Sequence, residues 1–360
     1  MTGVSRHFYT GGNTAHGFTS MLDSSLQGLD RVVVLRGGVG TGKLINMEQI
    51  GNQLSETGHE IWFIHCASDP HSLDGLIIPE LKVAIIDTTA PHVIVPTRLN
   101  VDVQYVELDE ACRSDQLLTQ QSDIARLNDS ITQAFGRAYS GFSEALRIHD
   151  EWEQLYISNM DFLGADLLCG EYISVLFGSS KLEKKSRVDH RFLGAATPDG
   201  AIDYVPNLTE GLKRYLLKGR PGSGKSTLLK KLANTAIERG LNVEIYHCGF
   251  DPNSLDMIIV RELGFAIFDS TAPHEYNPDR PSDEIVDMYE RCINSDTDET
   301  YAEQISKVKA QYTSAMKQSI SELAHTRSLL DELEQIYLKA MNSSIIERIK
   351  HELLKELQIT

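Results

Sequence analysis

The chain has 360 residues, of which 41% are hydrophobic and 24% are charged, and its formal net charge is −17. This length predicts two or three domains, each large enough to bury its own core. The acidity argues against a dedicated nucleic-acid binder, because affinity for a phosphate backbone comes mostly from lysine and arginine. Five scattered cysteines, with no CxxC pair, do not fit a disulfide scaffold or a zinc site. No signal-peptide pattern or membrane-length apolar run is found, so we expect a cytoplasmic protein with no membrane partner.

The predicted elements of the first half follow one another in a regular order. Short apolar runs that lead into glycine or polar residues indicate buried strands, and longer amphipathic stretches indicate helices. The sequence predicts a strand, a helix, a second strand, a short helical crossover and a third strand in the segments RVVVLRG, LINMEQIGNQLSETG, EIWFIHC, PHSLDGLIIPEL and KVAIID. About 60 mostly polar residues with helical periodicity then predict long helices. These helices form either a hairpin that acts as a lid or dimerisation arm, or a simple cover for the core.

The second half repeats the first. The segment HCASDPHSLD at His65 returns as HCGFDPNSLD at His247, and GGVGTGK at Gly37 returns as GRPGSGK at Gly219 with the same offset. The N-terminal segments RHFYTGG and HRFLGAA also correspond, and each predicts a further strand whose partner stays open. Such a repeat indicates two homologous units. We therefore predict two domains, residues 1–180 and 181–360, which join near a polar stretch at residues 178–189.

Strands that alternate with helices predict an α/β fold with parallel sheets. Three blocks have changed least between the two copies: the glycine loop, HCxxDPxSLD and D[TS]TAPH. Each block directly follows a predicted strand. Ligands of open α/β sheets bind at the carboxyl ends of the strands, so these blocks predict one ligand site per half.

The loop at residues 219–227 has the complete phosphate-binding pattern GxxxxGK[ST] between a strand and a helix. Its backbone N–H groups are expected to surround phosphate oxygens at the positive end of the helix. Lys225 would bridge the β- and γ-phosphates, Ser226 would bind Mg²⁺, and Asp269 stands at the Walker B position beside the metal. The predicted nucleotide-binding residues are Gly219, Arg220, Pro221, Gly222, Ser223, Gly224, Lys225, Ser226 and Thr227.

The loop of the first half lacks one part of this pattern. Leu44 stands where the second copy has Ser226, so the hydroxyl ligand for magnesium is missing, although Asp87 keeps the Walker B spacing. We expect this loop to bind a phosphate group without efficient hydrolysis. Its predicted binding residues are Gly37, Gly38, Gly40, Thr41, Gly42 and Lys43.

These motifs resemble those of P-loop NTPases. The full set in tandem is similar to a family of bacterial tandem P-loop proteins labelled predicted ATPases or nucleotide kinases, and the likeness covers nearly the whole chain. The resemblance implies two P-loop domains, each followed by a helical arm, and ATP binding with Lys225, Ser226 and Asp269 in the usual roles. In that family the first loop also tends to end in GK[ST], so Leu44 departs from the pattern.

Two further residues are predicted to serve catalysis. Asp251, just beyond the second strand, is a candidate general base, although it could equally cap a helix or form a turn. His274, on the loop after Asp269, could sense the γ-phosphate or contact a second substrate, or it could be a turn residue. The adjacent His247 and Cys248 point to opposite faces of a strand and do not favour a metal site. No arginine finger can be assigned, and Arg137 is expected on a solvated helix face.

The leading functional hypothesis is ATP binding with Mg²⁺-dependent hydrolysis in the second half and a weakened or regulatory site in the first. A nucleotide or small-molecule kinase is the second hypothesis. A nucleotide-dependent switch that binds a protein partner through its helical arms is the third. A homo-oligomer is compatible with each of them.

Overall fold

The computed structural model describes residues 3–89, 92, 97 and 101–356. Within these ranges the first half has eight strands: β1 (Ser5–Tyr9), β2 (Gly11–Thr14), β3 (Gly17–Ser20), β4 (Arg31–Arg36), β5 (Ile61–His65), β6 (Leu73–Ile78), β7 (Val83–Asp87) and β8 (Asp102–Glu107). The second half has eight more: β9 (Val188–Phe192), β10 (Gly194–Thr197), β11 (Gly200–Asp203), β12 (Lys213–Lys218), β13 (Val243–His247), β14 (Leu255–Val260), β15 (Phe265–Asp269) and β16 (Glu284–Asp287). Ala90 and Pro91 of the first DTTAPH block lie outside the described residues.

The α-helices in the same ranges are α1 (Leu22–Ser25), α2 (Met47–Glu56), α3 (Ser114–Thr119), α4 (Gln121–Ile157), α5 (Phe162–Phe177), α6 (Val205–Leu208), α7 (Lys225–Glu238), α8 (Met288–Cys292), α9 (Thr297–Thr300), α10 (Ala302–Ala340) and α11 (Ser343–Glu356). Across the described part of the chain, no helix combines the length and the apolar character that crossing a membrane requires.

Twelve strands form one sheet in the order β8-β4-β7-β6-β5-β1-β9-β13-β14-β15-β12-β16. Outward from the centre, the strands of residues 188–287 repeat the order of those of residues 5–107. The two sets meet where β1 and β9 pair antiparallel at Tyr9 and Phe192. Because β1 also pairs in parallel with β5, and β9 with β13, the two N-terminal segments form strands that pair both within and across the halves. The fold is α/β with one large, mostly parallel sheet.

The helical crossover predicted from PHSLDGLIIPEL and its copy is wrong. These segments contain β6 and β14, and each pairs antiparallel with both of its neighbours. The last four residues of each strand are buried, so the segment has no polar face of the kind that a surface helix needs. Isoleucine and valine in such a buried run favour a strand.

The helix predicted after the glycine loop begins differently in the two halves. In the second half the sequence predicts a helix over STLLKKLANTAIERG from Ser226, and the helix begins one residue earlier, at Lys225. In the first half a 3₁₀ turn covers Thr41–Ile45, and α2 begins only at Met47, so the prediction of a helix from Leu44 is wrong. Asn46 breaks the helix because it adopts a left-handed conformation (φ 56°) and its side chain caps α2 by accepting from Gln49 N. The predicted glycine ends are confirmed at Gly58 (φ 101°) and Gly240 (φ 73°).

The long helices α4 and α10 pack against each other, whereas the sequence favours a hairpin within each half. Arg137 of α4 pairs with Glu322 of α10, and Gly141 faces Ser319, so the two helices run antiparallel. Gly141 allows this close approach, since a Cβ there would lie 2.3 Å from Ser319 Oγ. The two arms therefore form their antiparallel pair between the halves.

Each arm then ends on the opposite half. Leu168 and Tyr172 of α5 belong to an apolar cluster with Leu228 of α7, in the second half. Conversely, Ile346 of α11 packs in a cluster with Ile50 of α2, in the first half. The domain division at residue 180 stays a prediction from the two sequence copies. Both of these apolar clusters contain side chains from before and after residue 180.

Charged residues stabilise the seam between the halves. The guanidinium of the buried Arg191 lies 4.1 Å from the centre of the Phe8 ring, across the β1–β9 boundary. Glu244 on β13 accepts from Arg261 Nε (2.6 Å) and from Arg6 Nη1 of the first half (3.4 Å). Burial alone would raise the pKa of Glu244, but Arg191, Arg261 and Arg6 hold it at about 2.

Candidate functional site

The second glycine loop (residues 219–225) connects the end of β12 to the start of α7. Gly222 (φ 75°) and Gly224 (φ 88°) are left-handed, a conformation that residues with a Cβ adopt with strain. Two such residues turn the chain sharply enough to place Lys225 at the first position of the helix. The first N–H groups of a helix have no partners within it, and they attract an anion. This geometry can accept an anion at the start of α7.

Ser223 supplies a polar atom without a partner inside this loop. Its residue is 1% exposed, and its Oγ has no hydrogen-bond partner among the described residues. In the first loop the corresponding Thr41 Oγ1 donates to Gly38 O at 2.8 Å. Because buried polar atoms are nearly always paired, the unpaired Ser223 hydroxyl fits a bound ligand with hydrogen-bonding oxygens.

Lys225 and Asp269 come together, as the sequence predicts. Lys225 Nζ lies 3.6 Å from Asp269 Oδ2 and donates to Arg220 O at 2.9 Å, and the lysine is 8% exposed. Asp269 Oδ1 in turn accepts from the backbone N and hydroxyl of Thr271 at 3.1 and 2.6 Å. The lysine is thus held across the mouth of the loop, with a carboxylate beside it.

Ser226 lies next to a carboxylate that the sequence analysis did not single out. Its Oγ accepts from Leu255 N at 2.9 Å, which places it at the start of β14. The next residue, Asp256, lies opposite Asp269, since Met257 pairs with Phe268 in the antiparallel register. Burial and the nearby charge of Asp269 raise the pKa of Asp256 to about 7, although His274, Cys248 and Lys225 act in the opposite direction. A usable signal was present, because the aspartate of SLD recurs in both copies within a buried strand.

His274 is held by another residue that the sequence analysis missed. Its Nδ1 donates to Asp203 Oδ2 at 2.6 Å, and Tyr276 Oη donates to the other oxygen of Asp203 at 2.5 Å. Burial alone would lower the pKa of His274, but the hydrogen bond to Asp203 and the charges of Asp256 and Asp269 raise it. These contacts favour the charged form of His274 beside the acidic pair. The repeat gave no signal for Asp203, because the first copy has a serine at that place.

Asp251 lies in a turn. Its Oδ1 accepts from Asn253 N (3.0 Å), its Oδ2 accepts from Ser254 Oγ (2.9 Å), and His16 of the first half lies 3.5 Å away. These contacts agree with the turn-forming alternative. Its role as a general base stays a prediction.

The first glycine loop (residues 37–43) is surrounded by carboxylates. Lys43 Nζ lies 2.8 Å from Asp69 Oδ2 and 2.7 Å from Glu334 Oε2, on α10 of the second half. A Cβ on Gly42 would lie 1.9 Å from Asp87 Oδ2, so that carboxylate rests directly on the loop. Although burial would raise the pKa of Asp69, Lys43, Ser72 and Arg327 hold it at about 2. The same lysine thus has two ion-pair partners here and one in the second loop.

Leu44 packs against the apolar cluster that includes Ile346 and Ile349 of α11. Leu44, which stands where the second loop has Ser226, is thus used for packing against the C-terminal helix. No metal chemistry is available from its side chain.

The histidines and arginines considered in the sequence analysis have protein partners. His247 Nδ1 donates to Pro252 O at 2.7 Å, which confirms a hydrogen bond near the strand end. Arg137 pairs with Glu322 at 2.9 Å on an exposed helix face, as expected. In the described ranges, the one group with metal-ligand spacing is His149, Asp150 and Glu153, which lie on a single helix.

The arrangement around the second loop can bind an anion, hold a divalent cation between a serine hydroxyl and carboxylates, and exchange a proton near neutral pH. In comparisons with known proteins, no family model, curated protein or solved structure matches this chain.

Proposed function

We propose that the protein binds ATP and hydrolyses it in an Mg²⁺-dependent reaction at the second glycine loop. The two halves are then tandem P-loop domains, and the first carries a weakened site. The observation that carries this proposal is the approach of Lys225 to Asp269 (3.6 Å) beside a loop with an unpaired buried hydroxyl. A glycine loop, a lysine at the helix start and an aspartate at the end of the neighbouring strand are the parts that phosphoryl transfer uses.

The residues around the loop fit the two cofactors. The N–H groups at the start of α7 and the Lys225 ammonium would bind the phosphates. Ser226 Oγ and Asp269 would hold Mg²⁺, and Asp256, opposite Asp269, adds a second oxygen donor of the kind that this cation prefers. Bound magnesium supplies charge neutralisation between the phosphate oxygens.

Two side chains near the loop, Asp256 and His274, are suited to hold protons. In the absence of Mg²⁺, Asp256, with a pKa of about 7, would take up a proton near neutral pH, and bound Mg²⁺ would keep it ionised. Asp203 fixes the ring of His274 and favours its charged form, in which His274 would stabilise negative charge on the γ-phosphate or on a second substrate. Asp251 would then shape the HCGFDP turn.

The test compares the two loop lysines. We expect Lys225→Ala to lower ATP turnover by about 100-fold or more, the scale on which loss of a charge-stabilising group acts. Lys43→Ala serves as the matched control, because it removes the same charge from the other loop, and it should only modify turnover. Phosphate release with and without Mg²⁺ measures both. Turnover that survives both substitutions would rule the proposal out.

A nucleotide-dependent switch is a second candidate, and one contact favours it. The backbone of Glu153, on α4 of the first half, lies against Gly222, where a Cβ would lie 2.5 Å from Glu153 O. Nucleotide at the second loop would therefore act directly on an arm. Slow turnover, together with a nucleotide-dependent change in the protease sensitivity of residues 281–338, favours the switch over a simple hydrolase.

A further inference from the structure

The end of α10 lies over the first glycine loop. The Tyr337 ring covers Gly38, where a Cβ would lie 2.2 Å from the ring. A Cβ on Gly40 would lie 2.4 Å from Cγ of Glu334. Glu334 is 9% exposed, and its carboxylate reaches Lys43 Nζ at 2.7 Å. A carboxylate of the chain itself therefore pairs with the lysine that a phosphate would need.

A second ion pair closes the same loop. Arg327, two turns before Glu334 on α10, pairs with Asp69, and Asp69 in turn pairs with Lys43. The four charged side chains thus form a row in which cations and carboxylates alternate, in the order Arg327, Asp69, Lys43 and Glu334. Because two carboxylates already pair with the ammonium of Lys43, its positive charge is neutralised and does not attract an added anion.

The second loop shows that the fold does not require this closure. Glu153 of α4 corresponds to Glu334 in the repeat (HDEWEQLY against LDELEQIY). Its backbone lies against Gly222, yet its side chain is 35% exposed and its carboxylate lies 3.9 Å from Nδ1 of His149, whose pKa burial lowers. The arms occupy corresponding places, but one glutamate enters the loop and the other does not.

We infer that the first glycine loop is a docking site for the Glu334 carboxylate of this chain, which occupies the phosphate position and excludes nucleotide from the loop. The loop anchors the second arm to the first half, and Leu44 contributes by packing towards α11. This inference goes beyond the hydrolysis proposed for the second loop and does not depend on it.

The test counts ATP sites by calorimetric titration of the full chain. We expect one ATP per wild-type chain, and a second, Mg²⁺-independent site in Glu334→Ala that disappears in Glu334→Ala/Lys43→Ala. Glu153→Ala is the matched control on the other arm and should gain no site. Glu334→Gln keeps the shape of the side chain without its charge and covers the case in which the alanine variant unfolds.

Acetylation of lysines, followed by mass spectrometry, gives a readout that needs no nucleotide. Lys43 should react about tenfold faster in Glu334→Ala or Glu334→Gln, because a charge-assisted hydrogen bond is lost. Two ATP sites in the wild type, one of them lost in Lys43→Ala, would overturn the inference. So would unchanged Lys43 reactivity together with no gained site in the Glu334 variants. If Lys225→Ala leaves ATP binding intact while the Glu334 variants gain a Lys43-dependent site, the proposed function fails and the docking inference stands.

Discussion

Replacing Asp256 by asparagine should stabilise the protein, and the gain should grow with pH. The carboxyl has a pKa of about 7 in the folded chain against an ordinary 3.8. Between these values the folded state binds one more proton than the unfolded state, so the stability of the wild type falls as pH rises through this window. About three pKa units at 1.36 kcal/mol each set an upper limit of about 4 kcal/mol for the full cost above pH 7. Asparagine is nearly isosteric and does not titrate, so the variant avoids this cost.

The assay is urea unfolding of the wild type and Asp256→Asn at pH 5 and pH 8. The stability difference should rise by up to about 3 kcal/mol between them, which is the part of the window that remains above pH 5. Asp74→Asn is the matched control in the first half, because the pKa of Asp74 is also about 7. This variant should show the same dependence of stability on pH. Millimolar Mg²⁺ should restore wild-type stability at pH 8 through Asp256 and leave Asp256→Asn unchanged. A difference that stays flat with pH refutes the raised pKa, and the absence of any Mg²⁺ effect refutes the cation site.

Three further predictions test the fold and the site. Glu244→Gln should cost about 3–5 kcal/mol at pH 7 by urea unfolding, because it leaves buried arginines without their counter-charge. Glu144→Gln is the control at a solvent-exposed pair and should leave the free energy of unfolding almost unchanged. The contribution of Glu244 should be present above pH 4.5 and disappear as pH falls towards 2, and an equal cost at both pH limits would contradict its low pKa. Asp203→Asn should lower the pKa of His274, which NMR titration measures. In the wild type, charged His274 stabilises the fold at pH values below its folded pKa, and the variant should lose this stability. A titration curve of His274 that does not move would disprove the pairing. Gly136→Ala should stabilise α4 by up to about 1 kcal/mol, since open space surrounds this glycine. Gly141→Ala should stabilise α4 less, because its Cβ displaces Ser319 Oγ. Equal gains of the two variants in thermal unfolding would disprove the close α4–α10 crossing.

The features that the sequence predicts correctly are local ones. Strand β12 is followed directly by Gly219, and the glycine loop precedes a helix that begins at Lys225. Asp269 is the last residue of the apolar strand β15. Each of these depends on the conformational preferences of a few neighbouring residues. The antiparallel β14 was missed for a related reason, because a short buried apolar run has no periodicity that separates a strand from a helix.

The missed features depend on contacts between distant residues. Asp203 and His274 lie 71 positions apart, and Lys43 and Glu334 lie 291 apart. Neither pair has a local pattern that marks one member as the partner of the other. The exchange of the arms is also a long-range feature, since α5 packs in a cluster of the second half and α11 in a cluster of the first. Comparison of the two copies identified the blocks but not their partners.

The arms give the two loops different surroundings and also connect them. The second loop touches α4 at Glu153, α4 packs along α10, and α10 holds the first loop through Glu334. A change in the position of α4 on nucleotide binding would therefore reach Lys43 through packed helices, without any nucleotide in the first loop. If nucleotide binds at the second loop as proposed, coupling of this kind is reciprocal, and release of Glu334 would alter the nucleotide affinity of the second loop by the same factor. On the proposed function, the first loop would then serve without a magnesium ligand, because it would hold the arm whose position nucleotide at the second loop would change.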